Sequence, residues 1–332
     1  MELKRRSNIV RIVILAVVTV FCCVAGLCRG STALPLAQVI QGLFAPGSET
    51  VAARILWAVR LPHVVACLLA GVGLGVSGTL LQAATDNPLA GPNIIGVNAG
   101  AGFAMVLGLC FAPFAYRLQP LMAFVGAFAC TMLILFVANR VGASRVSILL
   151  TGVAVSALLN AGISLLKLLY PDMAITYNYF SVGGVSGVDL LDLLLPGGII
   201  LCSLLGAMIL SGKINLLCLG DEIAAALGVR VKILRIGVLL LASASAAAAV
   251  SFAGLLGFVG LMVPHLARAL LGSDDLRKTL PAGALLGGSM VILADLIGRA
   301  LFAPSEIPAG IVTALVGAPF FFILLLRRRY RQ

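Results

Sequence analysis

Apolar stretches of about 20 residues, the length a helix needs to cross a bilayer, recur ten times between Ile9 and Leu326. Hydrocarbon offers the backbone no hydrogen-bond partner, so a spanning segment is either a helix or part of a closed barrel. These runs are continuous rather than alternating, which selects helices. The predicted spans are Ile9–Leu27, Leu61–Ala83, Ile94–Pro113, Leu121–Asn139, Ile148–Leu169, Leu191–Ser211, Ile233–Phe252, Gly254–Leu271, Pro281–Leu301 and Pro308–Leu326. With 61% hydrophobic and 11% charged residues, a soluble globular domain is excluded. The expectation is an all-α polytopic membrane protein, one transmembrane domain over residues 1–332, with about 10 transmembrane helices and both termini on the cytoplasmic side.

Charge supports that orientation. Short cytoplasmic loops collect Lys and Arg, and 17 of the 23 basic residues fall on that side, including Lys4, Arg5 and Arg6 at one end and Arg327, Arg328, Arg329 and Arg331 at the other. Arg29, Arg54, Arg60, Arg117, Lys167 and Arg299 remain for the outer face. The net charge of +11 is therefore read as topology and not as a nucleic-acid surface, because the basic clusters have no aromatic stacking partners nearby. Lys4 to Arg6 before an apolar run imitate a secretory signal, but the run is long enough to span, and it is expected to be the first transmembrane helix. Ala25-Gly26-Leu27-Cys28 touches a lipoprotein cleavage pattern, yet bulky Leu27 stands where a small residue is needed, so lipidation is not expected. The eight cysteines show no CxxC or Cys/His cluster and are expected to be small apolar fillers, neither disulfides nor metal ligands.

The uncharged stretch from Gly237 to Pro264 is too long for one crossing; Gly254, Gly257, Gly260 and Pro264 predict a broken turn followed by a short return helix. Asn87 to Gly96, with Pro88, Gly91 and Pro92, cannot continue a helix and is predicted to re-enter on the cytoplasmic side. Gly73-Leu74-Gly75-Val76-Ser77-Gly78 fits GxGxxG, but inside a span with no preceding strand and no acid about 20 residues on. Gly71 and Gly75 instead form a GxxxG face for close helix packing. There is no GxxxxGK[ST] loop and no HExxH, and only His63 and His265 are available as imidazoles. The chain is thus not expected to be an enzyme or to hydrolyse ATP itself. His265 lacks ligand-spaced Cys, Asp or Glu neighbours, so a cap or interhelical hydrogen bond is its expected role. Asp295 is the one clear intramembrane acid: with Arg299 four residues on it forms a favourable local pair, and its other reading is the proton site of an ATP-independent secondary carrier.

Between spans six and seven, residues 219–229 predict a short amphipathic cytoplasmic helix with Asp221 and Glu222 in its first turn and a glycine stop at Gly228. A helix this short is not stable alone. It docks either on its own bundle or on a partner, and composition leaves the two open.

Arg60-Leu61-Pro62, Gly78 to Gln82, Asn87-Pro88-Leu89-Ala90, Gly96-Val97, Leu219 to Gly228, Gly257-Phe258-Val259-Gly260-Leu261 with Val263-Pro264-His265 and Arg268, Ala294-Asp295, Pro308-Ala309-Gly310 and Gly317-Ala318-Pro319 follow one another in this order. That series resembles the FecCD-type permeases, the membrane subunits of type II ABC importers for ferric siderophores, haem and cobalamin, and covers nearly the whole chain. The resemblance implies a permease of the bacterial inner membrane that pairs with a second permease subunit around a central pathway. Two ABC ATPase subunits, which hold the ATP and Mg, dock beneath, and a periplasmic or lipid-anchored binding protein delivers the ligand. No cofactor belongs to this chain. The segment holding Gly220, Asp221, Glu222, Ala224, Ala225, Leu227 and Gly228 then resembles the helix that couples to the ATPase, Ala224 to Ala226 permitting close docking and the two acids meeting basic groups.

Arg60, His63 and Arg299 match outer-face positions that receive acidic residues of the binding protein. His63 stands where the family often has a second arginine, so its share should be weaker; its other reading is an interfacial histidine without a partner. Asn87 and Pro88 lie near the inner mouth, and Ser144 and Arg145 resemble positions near the cytoplasmic gate. Thr151, Ser156 and Asn160, small and weakly polar, are candidates for the pathway wall, though helix packing explains them equally. Of the possible cargoes, ferric siderophores are favoured through Phe258 and the closing Gly317-Ala318-Pro319-Phe320 run, with haem or cobalamin as alternatives.

Overall fold

Every regular element among the described residues is helical. The computed structural model describes residues 2–30, 34–44, 50–140, 144–185, 187–301 and 306–329. The order is α1 (Glu2–Cys28), α2 (Leu36–Phe44), α3 (Val51–Ile55), a π-helical turn (Leu56–Arg60), α4 (Leu61–Thr85), α5 (Val97–Phe111), a 3-10 turn (Tyr116–Leu118), α6 (Gln119–Arg140), α7 (Arg145–Leu169), α8 (Met173–Val182), α9 (Leu194–Leu217), α10 (Asp221–Ala226), α11 (Val231–Ala253), α12 (Val259–Leu271), α13 (Leu276–Leu301) and α14 (Ala309–Arg329). Seven of these segments are long and apolar enough to cross a membrane, and α5, α12 and α14 supply three shorter apolar helices. Each of the ten predicted stretches overlaps one of these helices. Of the basic residues assigned to the cytoplasmic side, the side chains of Lys4, Arg5, Arg6, Arg327, Arg328 and Arg329, and Arg331 as a whole, lie outside the described residues.

Lipid is as apolar as leucine, so helices in a membrane gain little by hiding leucines from it and associate through close packing instead. That accounts for the glycine seam of α4. A methyl group on Gly71 would run into the Gly287 carbonyl of α13, and one on Gly75 would sit 2.6 Å from the Gly283 carbonyl. Gly78 lies against the carbonyl of Gly260 on α12. This is the carbonyl that Pro264, having no N–H, leaves without its helical partner. Around this seam α4 is buried almost continuously from Gly73 to Thr85, flanked by α9, α11, α12 and α13. α1 runs outside the cluster, with Val10, Val13, Val17 and Phe21 exposed along it as a lipid-facing stripe would require.

The bundle has two distinct ends. One carries α10 with the end of α4, the start of α7 and the start of α11. Arg11, near the start of α1, donates to the Leu270 carbonyl (2.9 Å), and Leu324 of α14 lines a cleft with Asp86 and Asp275, so the start of α1 and the end of α14 share the α10 end. The opposite end carries Arg60, His63 and Arg299.

The helical pattern is interrupted twice at depth. Residues 87–96 separate α4 from α5, entered through left-handed Asp86 (φ 49°) and left through Gly96 (φ 75°); residues 254–258 separate α11 from α12 between Gly254 (φ 65°) and Phe258 (φ 63°). The split of the long uncharged stretch is therefore present. It is narrower than the glycine and proline positions suggested, since Gly260 and Pro264 lie inside α12. The short helices α2, α3 and α8 had no counterpart in the sequence reading. α3 starts at Thr50, whose hydroxyl accepts from the Ala53 amide (3.3 Å).

Candidate functional site

α10 begins where Gly220 takes φ 112°, ψ 155°, a backbone that admits only glycine without strain, and the chain leaves it through Gly228 at φ 81°. Asp221 and Glu222 occupy its first turn, where the helix dipole favours anions. Glu222, Ala225 and Ala226 face outward with Ile223 and Leu227, the last two more than half exposed. Ala224 is fully buried against the bundle: of the residues expected to dock a partner, it serves the chain's own core.

Asp221 is likewise engaged within the chain. Its Oδ1 accepts from Arg145 at the start of α7 (2.8 Å) and from Arg235 on α11. Arg235 also donates to the Ala84 carbonyl of α4 (3.1 Å), and Arg145 donates to Asp86 just beyond α4. Partial burial alone would raise the Asp221 carboxyl, but the hydrogen bonds and charges of Arg235 and Arg145 outweigh it and hold the group below its ordinary range. Sequence reasoning placed Arg145 at a gate and Asp221 on a partner. It did not join them, because the two positions are 76 residues apart.

The residues that the sequence reading expected near a gate sit beside this network. Ser144 caps α7, its hydroxyl accepting from the Ser147 amide (3.0 Å), and the Asn87 side-chain oxygen accepts from the Leu89 amide (2.9 Å), fixing the turn after α4. The Pro88 carbonyl accepts from His265 Nε2 (2.9 Å); that histidine was expected to cap or to join two helices, and it ties α12 to the non-helical 87–96 segment instead. From here residues 87–96 climb into the bundle until Gly96 reaches Cys130 and Ile134, midway along α6. Ser156 approaches Gly96 there, Thr151 is half-buried, and Asn160 is exposed. Non-helical backbone at membrane depth occurs where it is buried in protein or lines a cavity. Here Leu89, Gly91, Pro92 and Asn93 face Leu256, Phe258, Gly260 and Phe321 across a cavity of about 330 Å³.

At the opposite end, α4 and α13 bring three predicted residues together. His63 Nε2 donates to Asp295 Oδ1 (2.8 Å), and Arg299 pairs with the other oxygen from one turn further along α13. All three are largely buried, the Asp295 side chain 8% exposed and that of His63 13%. His63 thus has an intramolecular partner, and Asp295 is balanced by neighbours on both sides. Arg60 is 3% exposed and lies against Gly30 after α1. Cys67, one turn beyond His63, offers a sulfur within 4.8 Å of the His63 and Asp295 ligand atoms; the sequence reading expected no Cys/His cluster, although the four-residue spacing puts these two on one helix face. The His63–Asp295–Arg299 pairing already accounts for this geometry.

An all-helical bundle with seven segments long and apolar enough to cross a bilayer among the described residues is the build of a multi-pass membrane protein. The model of the FecCD transport family matches residues 17–327, and the chain belongs to that family, whose permeases are transport subunits of ABC importers and not enzymes. It is 34% identical over 326 residues to an Fe(3+)-citrate import system permease of Bacillus subtilis (strain 168), covering 97% of this chain and 96% of the relative. It is 37% identical over 284 residues to a hemin transport system permease of Yersinia pestis, covering 82% and 84%. A solved structure described as an inward-facing conformation of a metal-chelate type ABC transporter superposes with a TM-score of 0.85 at 30% identity, covering 95% of this chain and 98% of that one.

Proposed function

We propose that this chain is a single transmembrane permease domain of an ATP-driven importer that carries a ferric siderophore or related iron chelate across the bacterial inner membrane. It pairs with a second permease subunit, and separate ATPase subunits bind at the α10 end, which is cytoplasmic together with both termini. The observation that carries this reading is the outward-facing α10 in a chain of this family: its exposed Glu222, Ile223 and Leu227 offer charge and apolar surface to an ATPase groove. The secondary-carrier alternative is set aside, since Asp295 is already paired on both sides.

Closure of the ATPases displaces α10, and the two permease subunits rock about a shared path in alternating access. Residues 87–96, with Asn87 and Pro88, and the Ser144–Arg145 start of α7 form the cytoplasmic gate; of the pathway candidates on α7, Ser156 and Asn160, one turn apart, share a face toward the path, and Thr151, nine residues before Asn160, lies on the opposite face. The opposite end receives the binding protein. Arg60, 3% exposed, acts there through the positive field it lends this face more than by direct contact, while Arg299, 7% exposed and offset by Asp295, and His63 add less; such a field steers docking. Haem is the second reading, favoured by the relative that imports hemin.

The test is uptake of labelled ferric siderophores, ferric citrate, haem and cobalamin by cells with and without this chain, with ATP depletion as control. Loss of ATP-dependent ferric chelate uptake alone supports the reading. Loss of haem or cobalamin uptake alone replaces the cargo, and uptake that survives ATP depletion sinks the importer.

A further inference from the structure

Arg145 is oddly placed for a cation. It stands in the first turn of α7, where the helix dipole disfavours positive charge, and it is held there by partners from three other segments: Asp86 beyond α4, Asp221 of α10 (2.8 Å) and the Leu217 carbonyl at the end of α9 (3.5 Å). Its two terminal nitrogens serve two different carboxylates. A guanidinium does this readily and an ammonium does not.

The elements it joins are otherwise loosely held. α10 has six residues, and only Ala224 among them is buried; a helix this short owes its position to what holds its ends. α7 buries only Ile148, Gly152 and Ile163. Arg235, in contrast, is 5% exposed on α11 and fixed to the Ala84 carbonyl. A single oxygen, Asp221 Oδ1, is thus shared between an arginine of the rigid core and one on a thinly packed helix.

We propose that Arg145 is a positioning residue that transmits displacement of α10 to the first turn of α7 and, through Asp86, to the 87–96 segment. The inference rests on the importer reading above and adds the route by which the motion leaves α10. When α10 moves, the charge-assisted pairs of Arg145 are the direct link that draws α7 and the end of α4 with it; Arg235 serves as the pivot.

The experiment uses this chain co-purified with its ATPase subunits and placed in lipid nanodiscs. Backbone amide exchange is compared without nucleotide and with ATP and vanadate. In the unaltered complex, exchange should change in residues 219–229 and also in 145–152 and 86–96. Arg145→Gln should keep the response of 219–229 and lose that of 145–152 by about five-fold or more. Arg145→Lys, able to reach one carboxylate at a time, should fall between. If Arg145→Gln does not assemble, Asp86→Asn leaves the Asp221 pair intact and should silence 86–96 alone.

Retention of every response in Arg145→Gln overturns the proposal, as does joint loss at 219–229 and 145–152, which marks a merely structural role. A native complex in which 219–229 responds and 145–152 does not also overturns it. A native complex with no response at 219–229 brings down the importer reading, and this inference with it.

Discussion

Two aspartates in this chain each divide one carboxylate between two basic side chains, Asp221 at the α10 end and Asp295 at the opposite end. The partners of Asp221 come from α7 and α11, and its side chain is 45% exposed. Those of Asp295 come from α4 and its own helix, and it is 8% exposed. Water competes for the Arg145–Asp221 pair, whose two side chains are 23% and 45% exposed, but little for the Arg235 pair, whose guanidinium is 6% exposed, and hardly at all for the pairs of Asp295. An exposed ion pair is worth little in stability and exchanges partners readily; a buried one is a brace, whose loss strands an uncompensated charge. The same arrangement thus yields a joint at one end and a fixed strut at the other.

The largest effect should come from breaking the strut. Asp295→Ala leaves Arg299 buried without its counter-charge and should lower stability by about 3–5 kcal/mol, read by thermal unfolding of the purified protein in detergent. A loss below 1 kcal/mol on the scale of an exposed pair would erase the contrast between the ends. Next is the seam between them. Gly71→Ala forces a methyl group into the Gly287 carbonyl and should cost about 1–3 kcal/mol through overpacking. Gly198→Ala, with nothing within 4 Å of its added carbon, should be nearly neutral in the same melt.

Breaking the joint should cost less than breaking the strut: Asp221→Asn takes the counter-charge from Arg235, whose side chain is 6% exposed, but keeps an oxygen that can accept its hydrogen bond, and is expected to lower stability by about 1–2 kcal/mol, while amide exchange in 219–229 rises as α10 loosens. The smallest effect is in pH. Because the folded-state carboxyl of Asp221 titrates below its ordinary value, its contribution is complete above the unfolded value of about 3.9 and is lost as pH falls through the lowered one. Protection in 219–229, taken as exchange relative to the intrinsic amide rate at each pH, should therefore stay flat from neutrality to about pH 5 and fall only in stronger acid, where the carboxylate takes up a proton.

Legibility in the sequence followed the range of each interaction. Apolar runs and the glycine-rich break near Gly254 are local signals, and the helices appear where those runs stand. The Asp295–Arg299 pair was readable because its partners are one helical turn apart, and α10 because its acids and its glycine stop are adjacent. His63 was left between two readings because Asp295 lies 232 positions away, and nothing local marks that meeting. Arg145 was readable as a gate residue only through resemblance; its two carboxylates, from α10 and the end of α4, follow from tertiary packing. α2, α3 and α8 escaped for another reason: they are short and sit between spans, where hydropathy carries no periodic signal of useful length.

The early break before α12 also has an electrical consequence. Thirteen residues make this helix only about 20 Å long, against roughly 30 Å of hydrocarbon, so its amino end stops inside the bilayer. No side chain caps that end, and its first turn faces the cavity between Pro92 and Phe321. Among the described residues no charged side chain lines that cavity, yet the aligned peptide dipoles of α12 place the equivalent of about half a positive charge at its edge. At mid-membrane, then, the potential is written in the main chain rather than in any side chain, and substitutions that leave the backbone path unchanged will leave it in place.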